Sequence, residues 1–220
     1  VGGLAPKGIC GSGILDLIAE GFLSGWIDSA GNLQKSASPC IRDVWDDTRQ
    51  RNVPAIIYAY DGNVPLYFTQ DDIGEFLTCK AAAYTMVATL LESVNVSPSE
   101  IGAFYLAGGF GTHYDLESAI TVGLYPDLPR EKFKILGNSS LAGAKRLLLD
   151  TGCRARLDQI RALATYVQFG EMEKFVENMQ AARFLPHTDA SRYPSVMRRL
   201  RERGKVSPPG KLAAERSGAD

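Results

Sequence analysis

A glycine-rich stretch at 101–115, IGAFYLAGGFGTHYD, places the strongest constraint on the fold of this 220-residue chain. Its apolar and aromatic start, FYL at 104–106, is typical of a buried strand. A loop with almost no side chains follows, because it contains Gly108, Gly109 and Gly111. Such a loop lets backbone approach a ligand closely, and Asp115 then provides the N-cap of a helix. Strand, loop and helix start predict a site for a phosphorylated or anionic ligand, with an ordinary tight turn as the alternative.

A similar order recurs further along the chain. A short apolar strand at 133–136 ends in Gly137 and Asn138, and a helix of small residues follows. This repeated strand–loop–helix order predicts an α/β fold with a mainly parallel sheet and flanking helices. The Asp-Gly dipeptide at 61–62 lies between two apolar runs rich in β-forming residues, which predicts an inserted β-hairpin.

A helix near the start of the chain carries candidate ligand contacts. Apolar residues recur at helical spacing within 8–27, and the helix start contains Gly11, Ser12 and Gly13. This start leaves the first amides of the helix open to a partner. Ser12 is interpreted either as a cap of the helix end or as a phosphate contact.

A long helix at 69–94 carries one further candidate. Thr69 is its predicted N-cap, with acidic residues in the first turn. Lys80 lies among small and apolar residues of this helix. It is interpreted either as a surface lysine whose aliphatic stem lies along the protein or as a nucleotide contact.

The C-terminal part contains weaker signals. Helical spacing recurs at 154–165 and 171–182, and the run at 166–169 is typical of an edge strand. Residues 188–220 are rich in Arg, Pro, Ser and Gly, so we expect a mobile basic tail after a folded segment at 1–187. A tail that grips phosphate or RNA is the alternative.

Composition excludes several classes of function. The net charge of −1 argues against non-specific nucleic-acid binding. The four cysteines lack the spacing of zinc and ferredoxin sites, so we expect free thiols in a reducing cytoplasm and no metal site. No apolar run reaches the roughly 18 residues that a membrane-spanning helix needs, and no secretory signal opens the chain. The chain begins without Met in a glycine-rich loop, which we expect of a piece of a longer protein.

Three segments resemble, in order and spacing, the C-terminal part of the reductive activators of corrinoid proteins: KGICGSGILDLIAE at 7–20, FYLAGGFGTHYDLESAITVGLYPDLP at 104–129 and ILGNSSLAGA at 135–144. TQDDIGEFLTCKAAA at 69–83 resembles the long helix of that family, with Lys80 at the matching lysine. ENMQAARFLPH at 177–187 is similar to the end of the family's ATPase region. The resemblance covers residues 1–187.

The resemblance implies part of the actin-like ATPase fold, a ribonuclease H-like fold that sugar kinases and heat-shock chaperones share. It implies that residues 8–20 and 137–144 form the two connecting helices between the lobes of that fold. The adenosine and α-phosphate side of ATP is then expected at Gly108, Gly109, Phe110 and Gly111. Further nucleotide contacts are expected at Gly11, Ser12, Gly13, Lys80, Gly137 and Asn138.

The family uses ATP to drive the reduction of an inactive Co(II) corrinoid to Co(I), with electrons from an iron–sulfur cluster. The resemblance therefore implies ATP with magnesium as the cofactor and a corrinoid methyl-carrier protein as the partner. It also implies a homodimer and a role in anaerobic one-carbon metabolism and O-demethylation. Which corrinoid protein and which methyl donor are involved is left open.

Two parts of that family's machinery are missing from this chain. The Asp-x-Gly-Thr hairpins that hold the β- and γ-phosphates and magnesium are absent, and so is the cysteine-rich iron–sulfur domain. We therefore expect one half of an ATP site, an iron–sulfur cluster only elsewhere in the parent protein, and no turnover by this chain alone. His113, beside the glycine loop, is interpreted as a ribose-edge or surface group, and no catalytic base is assigned.

Two other functions stay open. In the activators of 2-hydroxyacyl-CoA dehydratases, a cysteine that binds a shared iron–sulfur cluster precedes a Gly-Thr-Gly at a similar connecting helix. Cys10 precedes the Gly-Ser-Gly at 11–13 here, but it lies two positions closer. A non-catalytic docking module for a corrinoid protein or a second copy would use the glycine loops only as turns.

Overall fold

The computed structural model describes residues 5–108, 113, 115–171 and 174–205. Within these ranges the helices and strands follow in the order α1 Gly11–Leu23, β1 Ile41–Asp46, β2 Arg51–Asp61, β3 Val64–Thr69, α2 Gln70–Ser93, β4 Phe104–Ala107, α3 Leu116–Thr121, β5 Phe133–Gly137, α4 Ser139–Leu149, α5 Cys153–Leu163, α6 Phe175–Ala182 and α7 Pro194–Glu202.

Strands β1, β2 and β3 form an antiparallel sheet in that order. A turn at Gly62, whose φ is +58°, joins β2 to β3 and confirms the predicted hairpin. Ala55 and Ile56 of β2 are fully buried and anchor this sheet in the core. The sequence carries no strong strand signal for β1, because only its end residues, Ile41 and Asp46, are buried.

Strands β4 and β5 form a second, two-stranded sheet that is parallel, as the repeated strand–loop–helix order predicts. Phe104 of β4 lies opposite Phe133 of β5 with ring centroids 5.4 Å apart, and the ring of Tyr125 packs against both. The larger described sheet is antiparallel, so the predicted parallel order applies to β4 and β5 and not to the described strands as a whole. The reason is that β1 extends the predicted hairpin to three strands.

Reciprocal capping begins helix α2. Thr69 Oγ1 accepts a hydrogen bond from Asp72 N at 3.1 Å, and Asp72 Oδ2 accepts one from Thr69 N at 2.9 Å. These bonds confirm the predicted N-cap, because they satisfy amides that the first helical turn leaves without partners. The buried face of α2, with Ile73, Leu77 and Ala81, packs against α6 and the hairpin.

The described core lies around α1, α2 and the three-stranded sheet. Ile18 of α1, Ile56 of β2, Ile73 of α2 and Leu185 after α6 are buried in one cluster. Helix α1 also packs against α3. By contrast, none of the described residues of α4 and α5 is buried, and Leu148 is 84% exposed.

The C-terminal part differs from two predictions. The predicted edge strand at 166–169 is absent from the described structure, which is irregular at 166–168 and continues into a short 3-10 turn. The expected mobile tail is wrong for 188–205, because α7 lies within it and Tyr193, Val196 and Leu200 are buried. Residues 206–220 lie outside the described part of the chain.

Candidate functional site

The carboxyl ends of β4 and β5 bring two predicted glycines together. Gly108 has a φ of +103° and Gly137 a φ of +66°, both in the left-handed region that L side chains rarely adopt. The Gly108 amide donates a hydrogen bond of 2.7 Å to the Gly137 carbonyl. Because the strands are parallel, both chain turns leave the sheet at the same edge. Glycine is therefore required at both turns by conformation, whether or not a ligand binds there.

Helix α4 begins directly after the second of these turns. Asn138 is its N-cap, and the side-chain Oδ1 accepts a hydrogen bond of 3.0 Å from Leu141 N. Helix N-termini attract anions, because their first amides lack partners within the helix and lie at the positive end of the helix dipole. The described role of Asn138 is thus to cap α4, and a nucleotide contact at Asn138 stays a prediction.

Gly109, Phe110 and Gly111 lie outside the described residues, so their predicted nucleotide contacts stay predictions. The structure describes the chain on either side of them. Asp115 caps α3, since its Oδ2 accepts a hydrogen bond of 3.0 Å from Ser118 N. This confirms the predicted helix start after the glycine loop.

Gly11, Ser12 and Gly13 form the first turn of α1. Cys10 occupies the N-cap position, and Ser12 Oγ lies 3.0 Å from Cys10 Sγ, so Ser12 is inside the helix and does not cap it. The hydrogen bonds of Cys10 to the Ser12 hydroxyl and to the Gly13 backbone lower the pKa of the exposed thiol. The phosphate contact of Ser12 stays a prediction.

Lys80 has a role that the sequence does not predict. It is 2% exposed, and its Nζ donates hydrogen bonds to the carbonyls of Ala182, Phe184 and Pro186 at 2.5, 2.7 and 2.7 Å. Burial lowers the pKa of Lys80 to about 7, while the three carbonyl acceptors favour the charged ammonium.

An ammonium group has three hydrogens, and these bonds use all of them. Lys80 is therefore no surface lysine, and the nucleotide contact predicted for it is not the role that the structure gives it. Instead, it holds the end of α6 and the following segment against α2.

A network of charged side chains joins α3, the segment after it and α7, and the sequence does not predict it. Arg130 donates to both carboxylate oxygens of Glu117, at 2.5 and 2.9 Å, and to Asp127 Oδ1 at 2.8 Å. Its hydrogen bond to Glu117 lowers the pKa of that carboxyl group. Ser195 and Arg199 bring α7 into the same network. These α7 residues lie 65 and 82 positions from their partners, which a local pattern cannot reveal.

A separate cavity of about 410 Å³ lies between the C-terminal half of α2, the segment at 126–128 and the residues before α7. Tyr84, Leu91 and Tyr193 line it, and none of its described lining residues is a nucleotide candidate. Within the described ranges, no cluster of three or more His, Cys, Asp or Glu side chains could hold a metal ion. The described helices also include none that is long and apolar enough to cross a membrane.

Residues 1–197 match the model of a protein family described as the C-terminal domain of RACo, the ASKHA domain. The corrinoid activation enzyme RamQ of Eubacterium limosum is 30% identical over 183 residues, which cover 80% of this chain and 31% of RamQ. A solved structure of a reductive activator for corrinoid, iron–sulfur protein is 34% identical and superimposes with a TM-score of 0.80. That match covers 89% of this chain and 31% of the solved one. The chain thus spans about a third of the length of both relatives.

Proposed function

Because this chain belongs to the family of the C-terminal ASKHA domain of RACo, we propose that it is the ATP-binding segment of an activator that drives the reduction of Co(II) corrinoid proteins to Co(I). The family and the α/β ATPase fold predicted from the sequence are thereby confirmed. The activity itself belongs to longer relatives, of which this chain spans about a third, and comes to this chain as part of the proposal.

The paired turns at the ends of β4 and β5 carry the proposal. Gly108 and Gly137 place two residues without side chains next to each other, linked by the 2.7 Å hydrogen bond between them. Backbone without side chains lets a nucleotide approach closely, and the capped start of α4 adds unpaired amides. We assign the adenosine and α-phosphate side of ATP to 108–111, with further contacts from 11–13 and 137–138. Magnesium would accompany the β- and γ-phosphates, whose protein contacts we place outside this chain.

ATP would act by shifting the position of this segment relative to the other parts of the parent protein. A ligand shifts a conformational equilibrium only by the difference between its affinities for the two states. ATP hydrolysis can therefore drive the uphill reduction only if two conformational states bind ATP and its hydrolysis products with different affinities. We propose that a corrinoid carrier protein senses this change, that a homodimer is the working assembly, and that an iron–sulfur centre outside this chain supplies the electron.

Calorimetric titration of the chain with magnesium ATP tests the nucleotide site. We compare wild type with Gly109→Glu, which adds bulk and negative charge at the proposed phosphate loop. Gly102→Glu is the matched control, because Gly102 is exposed, its Cβ would meet no heavy atom within 4 Å, and it lies just before β4. We expect wild type and Gly102→Glu to bind ATP alike and Gly109→Glu to lose binding.

Two outcomes contradict the proposal. If wild type binds no ATP, this chain is not an ATP-binding segment by itself. If Gly109→Glu binds as wild type does, nucleotide binds elsewhere and the glycine loop is only a turn.

A further inference from the structure

Helix α7 makes polar contacts with two helices that are far from it in sequence. Arg199 Nη1 donates to Thr121 Oγ1 at 2.9 Å and to Glu117 Oε2 at 3.3 Å, both on α3. One turn further on, Arg203, the C-cap residue of α7, donates to both carboxylate oxygens of Glu20 on α1, at 2.8 and 3.1 Å. Val196 and Leu200 of α7 are buried. Helix α7 is therefore joined to α1 and α3 at once.

The start of α7 also makes polar contacts with a distant part of the chain. Asp127 is a carboxylate with 3% of its side chain exposed, and it accepts hydrogen bonds of 2.7 Å from both the amide and the hydroxyl of Ser195. It thus caps α7 from 68 residues away, a position where a carboxylate is also favoured by the helix dipole. Arg130 links this cap to Glu117 of α3.

The two helices that α7 joins are those that carry proposed nucleotide residues. Helix α1 begins with the 11–13 segment, and α3 follows the 108–111 loop. We propose that Arg199 and Arg203 are positioning residues, through which α7 holds α1 and α3 in the arrangement that binds the nucleotide. This rests on the proposed function, since it assumes that both segments contact one ATP.

The physical basis is preorganisation. If α1 and α3 are already fixed by α7, a nucleotide that contacts both does not have to order them when it binds, and its affinity is higher. Binding free energies are reciprocal, so ATP must in turn strengthen the docking of α7. A helix that only adds stability would show neither effect on the nucleotide.

The test compares two double variants of α7 with the same change in charge. Arg199→Met/Arg203→Met removes the contacts to α3 and α1. Arg198→Met/Arg201→Met is the control, because both of its side chains are exposed and, among the described residues, the only ion pair of either is that of Arg198 with Glu202, at 3.9 Å within the helix. Hydrogen exchange of the nucleotide-free proteins and calorimetric titration with magnesium ATP are measured for both.

We expect the Arg199→Met/Arg203→Met variant to exchange faster in α3 and α7 without nucleotide and to bind ATP about tenfold more weakly, a typical size for coupling between sites. The control should match wild type in both measurements. Arg199→Lys/Arg203→Lys, which keeps the charges, should recover part of the affinity. In wild type, ATP should slow exchange in α7.

The outcomes separate this inference from the proposed function. Unchanged exchange of α3 in the Arg199→Met/Arg203→Met variant overturns the inference even if ATP does not bind at all. Faster exchange with an unchanged ATP affinity also overturns it, because α7 would then be structural only. Failure of the wild-type chain to bind ATP refutes the proposed function, and with it the coupling of α7 to the nucleotide, whereas the exchange data still decide whether α7 fixes α3.

Discussion

Gly123, which lies just after α3, leaves no room for a side chain. Its φ is +77°, and a Cβ built on it would lie 2.0 Å from the carbonyl oxygen of Pro186 and 2.8 Å from the carbonyl carbon. That oxygen is also an acceptor for Lys80, and the Tyr193 hydroxyl donates to the Gly123 carbonyl at 3.3 Å. Gly123→Ala must therefore displace a backbone segment that is held from two sides.

The expected loss of stability follows from two separate costs. A left-handed conformation costs an L residue about 1–2 kcal/mol. Forcing extra volume into a packed site costs about 1–3 kcal/mol more, and here the obstacle is backbone, which a rotamer change cannot relieve. We therefore expect Gly123→Ala to lower the free energy of unfolding by about 2–5 kcal/mol.

Urea unfolding followed by circular dichroism measures this difference. Gly102→Ala is the control, because the added Cβ would meet no heavy atom within 4 Å and the residue is exposed. It should stay within about 0.5 kcal/mol of wild type, as surface substitutions do. If Gly123→Ala is equally neutral, the close approach of the segment after α3 to the segment after α6 is wrong.

Two further changes test other contacts. Asp127→Ala removes the distant cap of α7, and we expect it to lower the free energy of unfolding in urea by about 2–4 kcal/mol. Asp158→Ala on the exposed helix α5 is the control and should leave that free energy unchanged. Equal losses in the two variants would contradict the capping role of Asp127. Burial and nearby cations lower the pKa of His187 to about 4, so His187 stays neutral in the folded protein while the unfolded chain binds a proton below about pH 6.5. The stability that neutral His187 contributes to the folded protein is therefore fully present above about pH 6.5 and is lost as the pH falls towards 4. His187→Asn should flatten the fall of the urea midpoint between pH 7 and 5, and an unchanged profile would assign that fall to another group.

Features that depend on neighbouring residues could be predicted from the sequence. The capping of α2 by Thr69 requires a residue only three positions away, and the hairpin at Gly62 requires a flexible turn between two apolar runs. Gly108 and Gly137 each follow a short apolar run, and the left-handed φ of both shows that a turn there needs glycine. Local rules apply in these cases because the interacting groups are close in sequence.

Features that depend on distant partners could not be predicted in the same way. Lys80 meets its three carbonyl acceptors 102 to 106 residues further along the chain, so the sequence offers only a lysine among apolar residues. A surface position and a ligand contact both fit that pattern, whereas the observed role, a buried clamp on backbone carbonyls, depends on tertiary packing. Within the glycine loop itself, the nucleotide contacts of Gly109, Phe110 and Gly111 remain predictions.

The sequence predicts a mobile tail where the structure has α7, and the reason lies in the charge of this part of the chain. Residues 183–220 contain nine basic and four acidic residues, a composition that favours disorder when the charges have no partners. Two of these arginines, Arg199 and Arg203, donate hydrogen bonds to carboxylates 82 and 183 residues earlier in the chain. Val196 and Leu200, four positions apart on the same helix, are buried. Composition alone cannot distinguish a paired arginine from a solvated one. The predicted boundary at residue 187 therefore falls inside a packed unit, in which the last described helix closes against the first.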